Sequence, residues 1–160
     1  MAIIRTTYKL EGFAEFEAQL KALADGYRHD LVARNTLGKA GKAAMQPVYE
    51  KLISIAPYND KTNKSGIHLR DTAKIISRIP NKGDMKSNYV ESTDNIISAV
   101  TVKKSAVSLA IEFGTANMSA RPLLRSALES TTPEVLSILK SQLAEIIPAY
   151  WKTLKRRGIK

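Results

Sequence analysis

The apolar residues of this chain change their spacing twice, and that change limits the fold more than any other feature. Phe13, Phe16, Leu20 and Leu23 follow helical steps, as do Leu31, Leu37, Ala40, Ala44, Val48 and Leu52. From Ile79 the period moves toward two. Ile96, Ser98, Val100 and Val102 then share one face, opposite Ile97, Ala99 and Thr101, and Val107, Leu109, Ile111 and Phe113 repeat the alternation. Helical spacing returns with Leu123, Leu124, Ala127 and Leu128, and again with Val135, Ile138, Leu139, Leu143, Ile146 and Ile147. Strands grouped in the middle of a chain, with helices on both sides, do not make an alternating parallel sheet. The pattern predicts a single α+β domain over residues 1–160. An antiparallel sheet of three to four strands packs against N-terminal and C-terminal helices. A chain of 160 residues has room for one core and buries about 70% of its unfolded surface.

Local signals place the boundaries. Ile4, Thr6, Tyr8 and Leu10 alternate and predict an opening strand. Asp25-Gly26 reads as the stop of the first helix. A longer helix is expected from about Tyr27 to Ile55, kinked at Pro47, which lacks a backbone donor. Gly38, Ala40, Gly41, Ala43 and Ala44 make its middle small-sided, so another backbone can approach closely there. Residues 57–66 hold almost no apolar group and read as an exposed loop. Lys103-Lys104-Ser105 is short enough to join two strands, 96–102 and 107–113, as a hairpin. Gly114 ends the second strand in a sharp turn, with a positive φ expected there. Pro122 suits the first turn of a helix. Thr132-Pro133-Glu134 signals a further helix start, and Pro148 should kink or end that helix.

Several functions lose support. The chain has no cysteine, which removes disulfides, a thiol nucleophile and thiolate metal sites. No apolar run approaches a membrane span, and residues 1–10 lack a signal-peptide layout. His29 and His68 have no partner at metal-ligand spacing, and the carboxylates, among them Asp60, Asp71, Asp84, Glu91 and Asp94, are scattered. Leu37 to Lys42 has the residue types of a phosphate loop without its spacing or a preceding strand. No enzyme, cofactor or metal site is expected.

Charge is the unusual quantity. Lys and Arg number 25 against 15 Asp and Glu, a net +10. The excess sits in residues 61–104, with nine bases and four acids, and in residues 152–160, with five bases and no acid. Such a field attracts polyanions or an acidic protein surface. Lys152, Lys155, Arg156, Arg157 and Lys160 form the terminal cluster, beside Tyr150, Trp151 and Leu154. Two readings stand: a helix end with Trp151 and Leu154 in the core, or a basic segment with an apolar anchor for a partner. On the second reading residues 152–160 are dispensable for folding.

One segment is more specific. Glu112-Phe113-Gly114-Thr115, a short polar stretch, then Ala120-Arg121-Pro122-Leu123-Leu124 with Ala127 and Leu128, resembles the signature of the bacteriophage tail-completion family. These are head–tail joining or neck proteins of long-tailed phages. Gly12, Phe13, Glu15, Phe16 and Leu20 resemble the family's N-terminal helix. Ala56, Pro57, Gly66, Leu69, Arg70 and Asp71 resemble its mid-chain block. The loop between Pro57 and Gly66 is longer than the compact family form, and Leu123 stands where an aromatic is common.

The resemblance implies a virion protein, made in the host cytoplasm. It would form a six-fold ring at the head-proximal end of the tail or in the neck. Its partners would be copies of itself, the tail-tube or tail-terminator protein, and head-connector (stopper or adaptor) proteins. DNA would pass through the channel without sequence-specific binding, and no membrane is involved. The expected interface residues are Glu112, Phe113, Gly114, Thr115, Arg121, Pro122 and Arg125, with subunit contacts from the 57–66 loop and the 114–121 segment. Glu112 is the expected carboxylate partner of Arg121, within one chain or between neighbours. The basic C-terminal cluster is expected to meet a protein partner or DNA. The competing class is a basic nucleic-acid-binding accessory protein.

Overall fold

A helical N-terminal half, a small sheet and one long closing helix make up the described part of the chain. The computed structural model describes residues 13–58, 67–87, 90–91 and 94–158. In order these form α1 (Phe13–His29), α2 (Leu31–Ala44), α3 (Gln46–Ile55), β1 (Lys74–Arg78), β2 (Ile97–Thr101), α4 (Ala106–Phe113) and α5 (Leu123–Arg156). Short 3-10 turns lie at Arg70–Thr72 and Asp84–Lys86. The expected strand at residues 4–10 lies outside the described residues. The class is mixed helix and antiparallel sheet, but the sheet has two described strands, not three or four.

The first helix runs through its expected stop at Asp25-Gly26 and ends at His29. Gly26 serves another purpose: a Cβ there would lie 2.6 Å from the Tyr150 hydroxyl. The actual break is Asp30, whose carboxylate caps α2 by accepting from the Val32 N–H at 2.9 Å. The single kinked helix expected over residues 27–55 is two helices. Met45 ends α2, and Pro47 sits in the first turn of α3. A proline lacks the N–H that an unbroken helix needs and is tolerated where that donor has no partner anyway.

The small-sided middle of α2 lies on the sheet. Ser98 of β2 stands directly against Gly41, with the Ser98 Cβ 3.2 Å from where a Gly41 Cβ would be. Ser98 and Ser77 share a hydrogen bond across the strands at 3.0 Å. The strands pair antiparallel from Lys74 opposite Thr101 to Arg78 opposite Ile97. The turn after β1 is built by Asn81, whose side chain accepts from the Gly83 and Asp84 N–H groups, and Arg78 forks onto the Asp84 carboxylate.

β2 therefore pairs backward with β1, not forward with residues 107–113. That segment is α4, not a strand. Ser105 and Ser108 cap it reciprocally: Ser105 Oγ accepts from the Ser108 N–H at 3.0 Å, and Ser108 Oγ accepts from the Ser105 N–H at 2.8 Å. Two otherwise orphaned donors are satisfied, which nucleates a helix in an apolar run that alternation alone assigns to a strand.

α5 is the spine. Its 34 residues span about 50 Å at ~1.5 Å per residue. Its first half packs Ala127 and Val135 on Ala44, Val48 and Leu52. Its second half packs Ile147, Tyr150 and Leu154 on Leu23, Ala33 and Leu37. The expected helix start at Thr132 does not occur, and of the kink or end expected at Pro148 the end does not; both Pro133 and Pro148 lie inside α5. An interior proline costs about 3 kcal/mol. Full burial of a Val, Leu or Ile stabilises by about 1.5–3 kcal/mol each. The burial of Val135, Ile147 and Leu154, with Ala127 and Tyr150 beside them, matches the cost of the two prolines, so packing carries the helix through.

Candidate functional site

The residues that carry the family-like signature build one corner, between α4 and α5. Gly114 closes α4 with φ 77° and ψ −179°, a region open to glycine alone. A Cβ there would meet the Ala120 nitrogen at 2.8 Å and the Met118 oxygen at 2.9 Å. The positive φ expected from the sequence is present, after a helix and not after a strand. Thr115 and Met118 then pair back to back, the Thr115 N–H donating to Met118 at 2.8 Å. The Arg121 N–H donates to the Ile111 carbonyl at 2.7 Å. The turn is thus tied at both ends to α4.

Glu112 does not pair with Arg121 in the described structure. Its carboxylate accepts from the Leu124 N–H at 3.1 Å and the Arg125 N–H at 3.4 Å. It caps the N-terminus of α5, where the helix dipole favours negative charge. The reason is position: Pro122, just before the helix, brings no donor, and the next free N–H groups face Glu112. Arg121 and Arg125 leave their side chains exposed.

This corner holds α4 inside out. Its buried residue is Ser108, while Val107, Leu109 and Phe113 are 64%, 41% and 73% exposed. Ser108 and Glu112 face the protein because each is used there: Ser108 Oγ also reaches the Lys103 carbonyl at 3.0 Å. Apolar side chains are left to solvent over a broad arc, Leu109 and Phe113 together on one flank and Val107 on the other. Met118 in the turn adds to it at 40% exposure. Reading the run as a strand hid this feature. The Ser105–Ser108 spacing was the available signal for a helix.

Beside the corner, on α3, β2 and α5, lies an open groove of about 480 Å³ lined by Val48, Val100, Leu124 and Leu128, with Arg125 and Glu129 among its walls. A second cleft of about 490 Å³ runs between α2 and β1, with Arg34, Lys39, Lys42 and Arg78 among its lining residues. Of these cations Arg78 is held by Asp84, and Arg34 is engaged as well.

The remaining sequence candidates are dispersed. Lys152, Lys155 and Arg156 lie exposed on the last turns of α5. Leu154 between them is buried in the chain's own core, with Trp151 packed against it. Arg157 turns back onto Asp30 at 3.3 Å, so the terminal cations do not all project outward. Lys160 lies outside the described residues. Tyr150 also donates to Asp30, at 3.2 Å. Burial pushes the Asp30 carboxyl up, but the Val32 N–H, the Tyr150 hydroxyl and Arg157 together hold it below its ordinary value. Burial first, and then the Asp30 charge, raise the Tyr150 phenol. The junction ties α1, α2 and α5 together across 120 residues of sequence.

Most of the 57–66 loop lies outside the described residues, but its ends are clamped. Tyr58 stacks on His68 with centroids 3.9 Å apart, and the Arg70 guanidinium lies 3.3 Å from the Tyr58 ring centre. His68 is therefore a packing residue of the mid-chain block. Among the described residues no three His, Asp or Glu side chains gather as a metal site, and no helix is long and apolar enough to cross a membrane. In comparisons with known proteins, no family, no curated protein and no solved structure matches this chain.

Proposed function

We propose that this chain is a structural subunit of a bacteriophage virion. It forms one member of a ring at the head-proximal end of the tail or in the neck, and joins the tail tube to the head connector around a DNA channel. The observation that carries this reading is the outward apolar face of α4. Covering Val107, Leu109 and Phe113 is worth about 1.5–3 kcal/mol for each side chain fully buried. A lone subunit forgoes that; an assembled one gains it. The face is also preset. Gly114, Glu112 and the Arg121 backbone fix α4 before any contact is made, so little ordering entropy is lost on association. The same residues carry the resemblance to the tail-completion family, which gives the signature a physical purpose: it builds a rigid presenting corner.

The mechanism is assembly, without a reaction. A head-to-tail contact that repeats with a closing rotation makes a ring. Lys152, Lys155 and Arg156, exposed at the end of α5, give that end a positive field suited to an acidic surface on a neighbouring ring. DNA slides past without sequence-specific contacts.

Phe113→Asp tests the reading. At 73% exposure the substitution should leave the melting curve within about 0.5 kcal/mol of wild type. The ring should be lost, and the phage carrying the variant should make tails that do not join heads. Normal yields of infectious particles would sink the proposal.

A second reading has its own observation, the cationic cleft of Arg34, Lys39 and Lys42. A nucleic-acid-binding accessory protein would remain a monomer and bind DNA with a steep, linear fall of log affinity against log salt. Weighing the native protein and titrating it with duplex DNA at two salt concentrations separates the readings.

A further inference from the structure

We infer that α4 of one copy seats its apolar face in the groove between α3, β2 and α5 of a second copy. This rests on the ring reading above and names the contact that would build the ring. The groove is apolar along Val48, Val100, Leu124 and Leu128, and no α4 residue of the same chain lines it. Among the described residues the chain thus carries both an exposed apolar helix face and an open apolar trough, on neighbouring but separate surfaces. A small ligand would need several convergent polar groups to orient it. A docked helix needs an apolar face against an apolar groove, and Leu109 and Phe113, four residues apart on one side of α4 and both exposed, offer that face.

Charge favours a second copy as the occupant. In a chain of net +10, most surface repels another copy. The outer face of α5 beside the groove is an exception. Between Arg125, which itself lines the groove, and Lys140 it carries Glu129 and Glu134 and no base, both acids exposed and Glu129 in the groove wall. Immediately before α4 stand Lys103 and Lys104, also exposed. Docking α4 therefore brings two cations toward two exposed acids. Because knob and groove are different surfaces, the contact is head-to-tail and propagates, closing into a ring when the rotation allows.

The absence of native cysteine makes the test direct. Phe113→Cys and Leu128→Cys are prepared as separate proteins, with Arg125→Cys as a second groove variant and melting curves to verify folding. A disulfide requires the two Cα atoms to come within about 7 Å. Mild oxidation of the mixture should link Phe113→Cys to a groove variant many-fold faster than either variant links to itself. A chain carrying both substitutions should give a ladder of covalent oligomers that stops at the ring size. Self-linked Phe113→Cys as the main product means that α4 meets α4, and overturns the inference. Wild-type rings with no mixed disulfide from either groove variant also overturn it, while leaving the ring reading intact. Wild type and variants sedimenting as monomers at every concentration, with no crosslink, overturn both.

Discussion

At the scale of single residues, two glycines with similar φ separate conformational cost from crowding. Gly114 has φ 77° and backbone atoms of Met118 and Ala120 under 3 Å from a Cβ position. Gly158 has φ 71° and nothing within 4 Å. Alanine at Gly158 meets only the left-handed penalty of about 1–2 kcal/mol. Alanine at Gly114 meets a conformation that costs about 1–3 kcal/mol and, besides, backbone that cannot rotate away. Gly114→Ala should therefore lower the unfolding free energy clearly more than Gly158→Ala. Equal losses in denaturant titrations would mean that the corner yields easily and is not a rigid mount. The Gly114 turn was legible in the sequence, because only glycine takes that φ readily. The destination of the Glu112 carboxylate was not. Arg121 is the nearer partner in type, but the free N–H groups of α5 stand in front of it.

At the scale of elements, α4 shows why a short apolar run is ambiguous. Eight residues (Ala106–Phe113) fit a buried strand and a helix equally, and the arbiter is the cap. Ser105→Ala removes the hydroxyl that accepts from Ser108 and should cost about 1 kcal/mol. If α4 opens as a unit, amides inside it, such as Leu109 and Gly114, which donate to Ser105 and Ala110, should exchange roughly fivefold faster, the factor 1 kcal/mol represents. Unchanged exchange in α4 would show that the corner alone holds it. The same ambiguity explains the missing hairpin. Once residues 106–113 coil, β2 needs another partner, and β1 lies across the helical α2 where Gly41 lets Ser98 close in. α5 shows the opposite error. Local rules interrupt a helix at Pro133, but one buried cluster holds Ala127 before it and Val135 after it, and a second follows at Ile147, Tyr150 and Leu154.

At the scale of the whole molecule, the C-terminus belongs to the fold. Leu154 is 9% exposed in the cluster with Leu23, Leu37 and Ile147, and Arg157 reaches Asp30. Cutting the chain after Trp151 should remove the packing of Leu154, a loss of the order of 2–5 kcal/mol. That is a large share of the roughly 5–15 kcal/mol that holds a domain together. A chain cut after Gly158 keeps both contacts and should melt with wild type. Identical melting of the two truncations would place Leu154 outside the core. To probe the terminal charges without unfolding the domain, Lys152, Lys155 and Arg156 are better replaced by Gln, which keeps the helix.

What the sequence determined by itself is short-range. It marked an interruption near Pro47, the turn at Gly114, most of the helical stripes, the close approach of the small-sided α2, and the chemistry that an absence of cysteine removes. These follow from dihedral limits, side-chain size and hydrogen bonds between near neighbours, which act whatever the rest of the chain does. The tertiary structure decided the partner of β2, the continuity of α5 through two prolines, the meeting of Asp30 with Tyr150 and Arg157, and the outward turn of α4. Each of these depends on which apolar faces meet across tens to hundreds of residues. That free energy is summed over whole clusters and overrides a local preference worth one to three kcal/mol. The polar stripe of α4 faces inward because Ser108 and Glu112 have partners there that no local spacing announces, and the apolar face is left outside for the same reason.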